Sequence, residues 1–305
     1  MLLAKRLLAL IPVVFGILLL TFLLVHLVPG DPVDVMLGDS AASTDRAQLR
    51  AELGLDKSLP VQFISYIGHL AQGDFGRSIH TQASISSMLV ERIPRTAELA
   101  IVALLIAMAI GLPLGIFAAL KAGKWLDHSA SVLSLSLSAM PHFWLGPLLM
   151  LVFALWLGWL PVSGMEHASS IVLPAMTLGF GLAAILTRMT RASLLEVLNE
   201  DFVRTARAKG LSEQAVIVHH ALRAALLPII TVLGLQLGSL LAGAVITETV
   251  FGWDGIGRLL VESIEKRDYP VTQACVLVIA LSYVLINLAT DLLYAKLDPR
   301  LRFAS

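Results

Sequence analysis

Charge is scarce in this chain. Only 14% of its 305 residues are Asp, Glu, Lys or Arg, against 57% hydrophobic residues. Mean hydropathy is +0.83. Soluble globular domains carry charge at about 25% of positions, so that class is excluded. The 22 basic and 22 acidic residues cancel to zero net charge, which removes any overall attraction to nucleic acid. The one cysteine, Cys275, cannot form an internal disulfide, and it sits in an apolar run where a thiol packs as a small hydrophobe.

Catalytic motifs are missing as well. No G-x-x-x-x-G-K-[ST] occurs; Gly123-Lys124 lacks the spaced upstream glycine and the following hydroxyl. The chain therefore has no such loop to cradle ATP phosphates, and any hydrolysis belongs to another subunit. H-E-x-x-H, C-x-x-C and G-x-S-x-G are also absent. His219 and His220 are neighbours, so a helix points them in different directions instead of pairing them on a metal. His26 and His142 stand alone and read as side chains satisfied inside a bundle.

What is abundant is apolar sequence of spanning length. Lys5 and Arg6 precede a run from 7 to 28, longer than a signal-peptide core. It ends in Val28-Pro29-Gly30-Asp31-Pro32, a poor cleavage sequence, and reads as a retained anchor. Further apolar stretches cover roughly 98–120, 129–157, 171–187, 226–251 and 272–294. About 20 apolar residues cross a hydrocarbon core, and a helix alone satisfies its backbone within one segment there. The fourth stretch is short, but Arg188 can snorkel at its end. Gly111/Gly115 and Gly234/Gly238 have the small-xxx-small spacing of closely packed helices.

Residues 29–97 are more polar and are cut into short pieces by Gly and Pro. Ser43 or Thr44 could cap a helix ending at Gly54, and 60–72 reads as a helix up to Gly73. With six spans, Lys and Arg number thirteen on the side holding both termini, 121–128 and 188–223. The other side has nine, over much more loop. Short basic segments favour the cytoplasm. The expected order is then a cytoplasmic N-terminus (1–6), a first span (7–28) and an extracytoplasmic loop (29–97). A five-span core (98–294) containing a cytoplasmic loop (188–225) follows, then a cytoplasmic tail (295–305).

That cytoplasmic loop contains DFVRTARAKGLSEQAVIVHHALRAALLP, from Asp201 to Pro228, a basic island between apolar segments. Glu200, Arg204 and Arg207 share a helical face before Gly210, with Phe202 and Ala206 on another. After it, Ser212 can cap a second helix whose Leu211, Ala215, Val218 and Leu222 recur at helical spacing. Glycine allows a left-handed turn between the two. The stretch therefore reads as a helix–turn–helix elbow.

The elbow resembles the coupling loop of ABC-transporter permeases, generally E-A-A, three residues, G, nine residues, I-x-L-P. Counted from Gly210, Arg204, Thr205 and Ala206 fall on E-A-A, and His220, Ala221, Leu222 and Arg223 on I-x-L-P. The glycine, one alanine and the leucine match; the Glu and Pro do not. That departure is typical of the dipeptide/oligopeptide/nickel branch, which usually reads R-T-A-R-A-K-G-L and then H-A-L-R-N, with Ala224 here in place of the Asn. Other segments similar to that branch are Pro29-Gly30-Asp31-Pro32, Leu53-Gly54-Leu55-Asp56, Gly73-Asp74-Phe75-Gly76 and Met140-Pro141-His142-Phe143. Phe251-Gly252-Trp253-Asp254-Gly255 and Leu297-Asp298-Pro299-Arg300 extend the likeness nearly to the end.

The resemblance implies an all-α, six-span permease subunit of a binding-protein-dependent importer in the bacterial inner membrane. It implies a second homologous permease, two cytoplasmic ATPases that bind the ATP and Mg, and an extracytoplasmic binding protein. No cofactor or metal is expected in this chain. Phe202, Arg204, Thr205, Ala206, Arg207, Lys209, Gly210, Leu211, His220 and Leu222 would form the ATPase contact. Ser131, Ser134 and Ser138, which share a helical face, and Glu248 are candidates for the translocation path. The resemblance points first to di- or oligopeptides, with glutathione, nickel or metal chelates as alternatives. An intramembrane serine hydrolase would need a span serine opposite a histidine or lysine, and no motif places one there.

Overall fold

The computed structural model describes residues 2–27, 50, 51 and 55–297. Extended structure among them is limited to one isolated bridge, Arg77–Ser84. The main helices are α1 (Leu2–Leu27), α2 (Leu59–Ala71), α3 (Ile85–Leu120), α4 (Trp125–Ala139) and α5 (His142–Leu149). They continue as α6 (Val172–Leu198), α7 (Asp201–Ala208), α8 (Leu222–Phe251), α9 (Ile256–Glu265) and α10 (Tyr269–Leu297). The chain forms two compact units, one from 3–96 with 254–284, the other from 97–253 with the chain beyond 284. Helices α3 and α10 contribute to both. The Pro29–Pro32 turn, the expected cap at Ser43 or Thr44, Gly54 and Asp298-Pro299-Arg300 lie outside the described residues.

In the first unit, α1 and α2 meet through rings. Phe22 lies 5.2 Å from Phe63 and 5.9 Å from Tyr66 between ring centroids. His26 bridges the same helices, its Nε2 3.1 Å from Gln62 Oε1. Helix α2 starts beside Pro60 and ends at the expected place, with Gly73 at φ +76°. The Gly-Asp segment after it is a turn: Asp74 Oδ1 accepts from the Gly76 amide at 2.9 Å. Ile85 and Leu89 of α3 pack with Ile256 and Leu259 of α9 and Val271 and Cys275 of α10. Asp268, between those two helices, is buried and accepts from Ser78 Oγ (2.5 Å) and the Ile79 amide (3.2 Å).

In the second unit, α6 is the central helix. Leu178, Leu182 and Leu186 pack against Leu99, Ala103 and Ala107 of α3 and Ile229, Leu240 and Ala244 of α8. The expected small-residue contact exists. A Cβ at Gly111 would stand 2.8 Å from the Ala183 carbonyl, and one at Gly115 only 2.6 Å from Thr190 Cβ. At Gly234 it would meet Thr290 Cγ2 at 1.8 Å. Only a hydrogen at these positions lets the backbones come so close.

Three helices, Ile85–Leu120, Ala168–Leu198 and Tyr269–Leu292, are long and apolar enough to cross a membrane, by length and composition. Two bent pairs add up to two more, and Leu8–Leu23 is a shorter apolar helix. The stretch 129–157, expected to span as a helix, is broken in two. It folds as α4 and a second helix, His142–Trp156, bent by 108°. The break is local chemistry: the residue before a proline is pushed to extended backbone, and Met140 before Pro141 sits at φ −81°, ψ 121°. The stretch 171–187 also differs, its helix running on through Arg188 to Leu198.

Candidate functional site

The elbow forms as a helix, a glycine turn and a second helical segment. Gly210 has φ +78°. Its amide donates to the Arg207 carbonyl at 2.9 Å, and the Leu211 amide donates to the Ala206 carbonyl at 3.4 Å. Those two bonds close α7 as a Schellman motif, in which a left-handed glycine lets the last carbonyls be satisfied. Arg207 reaches across the turn to Glu213, Nε to Oε1 at 2.7 Å. Ser212 caps the next segment by accepting from the Ala215 amide at 3.3 Å. Thr205 Oγ1 donates back to the Asp201 carbonyl at 2.9 Å.

The inward faces differ from the helical pattern expected. Leu211 and Val218 are 42% and 49% exposed, while Val216 and Ala221 are fully buried. The segment Val216–Ala221 is a π-helical turn, in which bonds close over five residues. Five-residue spacing puts Val216 and Ala221 on one side and displaces the Leu211–Leu222 stripe. In α7 likewise, Val203 and Ala206 are buried and Phe202 is 44% exposed. Ala206 therefore packs beneath the elbow instead of joining its outer surface. Val203, Ala206, Val216 and Ala221 rest on Ala119 of α3 and Leu194 of α6, with Ala225 of α8. Arg204, Thr205, Arg207, Lys209 and His220 are exposed, and Leu222 is half-buried.

Close by in sequence, the 121–127 turn is fastened to α6. Arg191 donates to Asp127 at 2.5 Å from Nε and 2.8 Å from Nη2, and the Gly123 amide donates to Asp127 Oδ2 at 2.9 Å. Those bonds, the guanidinium's first, hold the Asp127 carboxyl down at about 2.

The path candidates separate. Ser134 is buried and donates to the Ala130 carbonyl at 2.7 Å, and Ser131 is half-buried. Ser138 donates to the Ser134 carbonyl at 2.8 Å and lines a cavity of about 320 Å³ within the second unit. Glu248 is fully buried and does not line that cavity. The same cavity is lined by His142, Arg188 and Gln236, with Leu178 and Leu240. Sequence reasoning treated His142 and Arg188 separately and left out Gln236. Their meeting depends on the 108° bend before α5, whose one visible signal was Pro141. Among the described residues, no three His, Cys, Asp or Glu side chains cluster as a metal site.

The description "binding-protein-dependent transport system inner membrane component" matches residues 111–303, and its N-terminal counterpart matches 1–100. The chain belongs to this family of permeases. This permease is 44% identical to the di/tripeptide transport system permease DppB of Pseudomonas aeruginosa, over 98% of both chains. It is 45% identical to the glutathione transport system permease GsiC of Salmonella typhimurium and 43% to the dipeptide transport system permease DppB of Escherichia coli. Each covers 98% of it, with 98% and 97% of those relatives covered. In fold, the permease matches an inward-facing MetNI methionine ABC transporter chain with TM-score 0.61 at 18% identity, over 69% of this chain and 96% of that one. It is a helical transport subunit of the inner membrane and not an enzyme.

Proposed function

We propose that this permease is half of the conduit of an ATP-driven importer for short peptides, with a cytoplasmic ATPase seated on its Gly210 elbow. The observation that carries this reading is the division of the elbow's side chains. Val203, Ala206, Val216 and Ala221 face inward, while Phe202, Leu211 and Val218 stand exposed among Arg204, Arg207, Lys209 and His220. Arg204 and Arg207 are paired with Asp201 and Glu213, so the rim carries both signs of charge, and an exposed apolar patch with such a polar rim suits a protein partner. Because the buried side of the elbow rests on α3 and α6 and runs into α8, a displacement there acts on three helices together. Switching between inward and outward access requires the ATPase to bind the two states with different free energy.

In this reading a second homologous permease completes the path, and two ATPases, one at each elbow, bind the ATP and Mg. A binding protein delivers substrate from outside. With six spans in this reading, both termini and the elbow are cytoplasmic, the orientation that the short basic segments favour. The named substrates of the relatives, dipeptides, di/tripeptides and glutathione, are all short peptides, which supports that class. Those relatives add no support for nickel.

Co-purification tests the seat. Phe202→Asp and Leu211→Asp should each reduce ATPase retained on the tagged permease by roughly tenfold or more, with the second permease still bound. Full ATPase retention in both variants would contradict the assignment.

A further inference from the structure

The cavity in the second unit carries an unbalanced charge. Arg188 lines it, and the lining includes no carboxylate. Among the described residues Arg188 has no ion-pair partner. A second cavity, about 430 Å³ in the first unit, has Glu262 and Asp268 in its wall along with Arg92 and Lys266.

The neutral groups beside Arg188 are held in place. The His142 ring packs against two glycines: an added Cβ would lie 3.1 Å from it at Gly181 and 3.6 Å at Gly243. Its Nδ1 is 3.2 Å from the Thr177 carbonyl. A carbonyl can only accept, so Nδ1 donates and Nε2 of the neutral ring is an acceptor. Gln236 supplies both a donor and an acceptor, and Ser138, whose proton is given to Ser134, accepts. Leu178 and Leu240 provide apolar wall. A site of this size falls at the lower end of the roughly 300–1,000 Å³ range of ligand pockets.

We propose that this cavity is a transit site for the carboxylate-bearing end of the substrate. Arg188 receives the carboxylate, His142 Nε2 and Ser138 accept from nearby ammonium or amide N–H groups, and Gln236 takes an amide. The assignment rests on the short-peptide reading above. It makes this subunit a contributor to selectivity and not just a passage. An anionic lipid headgroup offers the same chemistry to Arg188, so the test separates the two sources.

The full transporter carrying Leu137→Cys, at another position lining the cavity, and Cys275→Ala is placed without its binding protein in phosphatidylcholine nanodiscs. Labelling of position 137 by a water-soluble thiol reagent is followed against added L-alanyl-L-alanine, S-methylglutathione or L-alanyl-L-alanine amide. At least one free-acid peptide should slow labelling, and the amide should not. Arg188→Gln should raise the peptide concentration needed by roughly tenfold or more, as loss of a charge-assisted hydrogen bond does. Arg188→Lys should retain part of the protection, and subunit stoichiometry confirms that both variants assemble. Absence of protection by either acid, equal protection by the amide, or unchanged protection in Arg188→Gln overturns the proposal. So does protection conferred by phosphatidylglycerol in place of peptide. Uptake by the unmodified transporter, measured with its binding protein, decides the short-peptide reading separately.

Discussion

Arg191 grips Asp127 with two nitrogens, Nε at 2.5 Å and Nη2 at 2.8 Å, tying the start of α4 to the end of α6. Asp127 is only 3% exposed, and the Gly123 amide completes its coordination. The 121–127 turn is thereby tied to the helix that leads into the elbow.

Asp127→Asn should destabilise the permease by roughly 1.5–3 kcal/mol, the range for a hydrogen bond to a charged group. The carboxyl titrates at about 2 when folded and about 3.9 when unfolded. Its contribution is therefore complete above about pH 4 and fades as pH falls through the folded value. Thermal unfolding in detergent should show the variant below wild type at pH 7 and the two converging near pH 2. A gap unchanged by acid would contradict the ion-pair account.

Gly115→Leu should cost more than most substitutions. Even a Cβ there meets Thr190 at 2.6 Å and the Thr187 carbonyl at 2.7 Å, so α3 and α6 must separate. Overpacking of that kind costs about 1–3 kcal/mol, occasionally more. Gly68→Ala is the contrast. It lies in α2 with open space around it and should be neutral or stabilising by up to about 1 kcal/mol. The unfolding temperatures of the two variants check the pair.

Much of the local structure was legible in the residues. The end of α2 at Gly73, the Gly210 turn and the Ser212 cap follow from backbone rules that act over three or four positions. The π turn at 216–221 was not legible, because a 3.6-residue period was assumed where the chain uses a wider one. The bend at Pro141 had a signal, but a long apolar run concealed it. Asp127–Arg191 and the His142–Arg188–Gln236 cavity join residues far apart in sequence, and no periodicity reports such meetings. Arg188 was read as a snorkelling end residue because the helix was expected to stop there; it continues to Leu198.

Topology makes a separate prediction. With Cys275→Ala as background, Ser169→Cys should react with an impermeant thiol reagent in intact cells. Ser212→Cys, exposed on the elbow, should react only after permeabilisation. Labelling at position 212 from outside would reverse the orientation.

The central claim is that the elbow passes work from ATP hydrolysis to the helices, and Gly210→Val tests it most directly. No atom crowds a Cβ at Gly210, so the whole effect comes from forcing a β-branched residue to φ +78°. Such strain costs about 1–3 kcal/mol, enough to re-aim α7 and the following turn without unfolding the bundle. Gly68→Val, in open space within α2, is the control. The measurement is peptide uptake per ATP hydrolysed by the reconstituted transporter with its binding protein. The account predicts that Gly210→Val assembles at normal stoichiometry but loses uptake, with its hydrolysis lost or no longer stimulated by loaded binding protein, while Gly68→Val behaves as wild type. Normal uptake together with normal stimulated hydrolysis in Gly210→Val would contradict it.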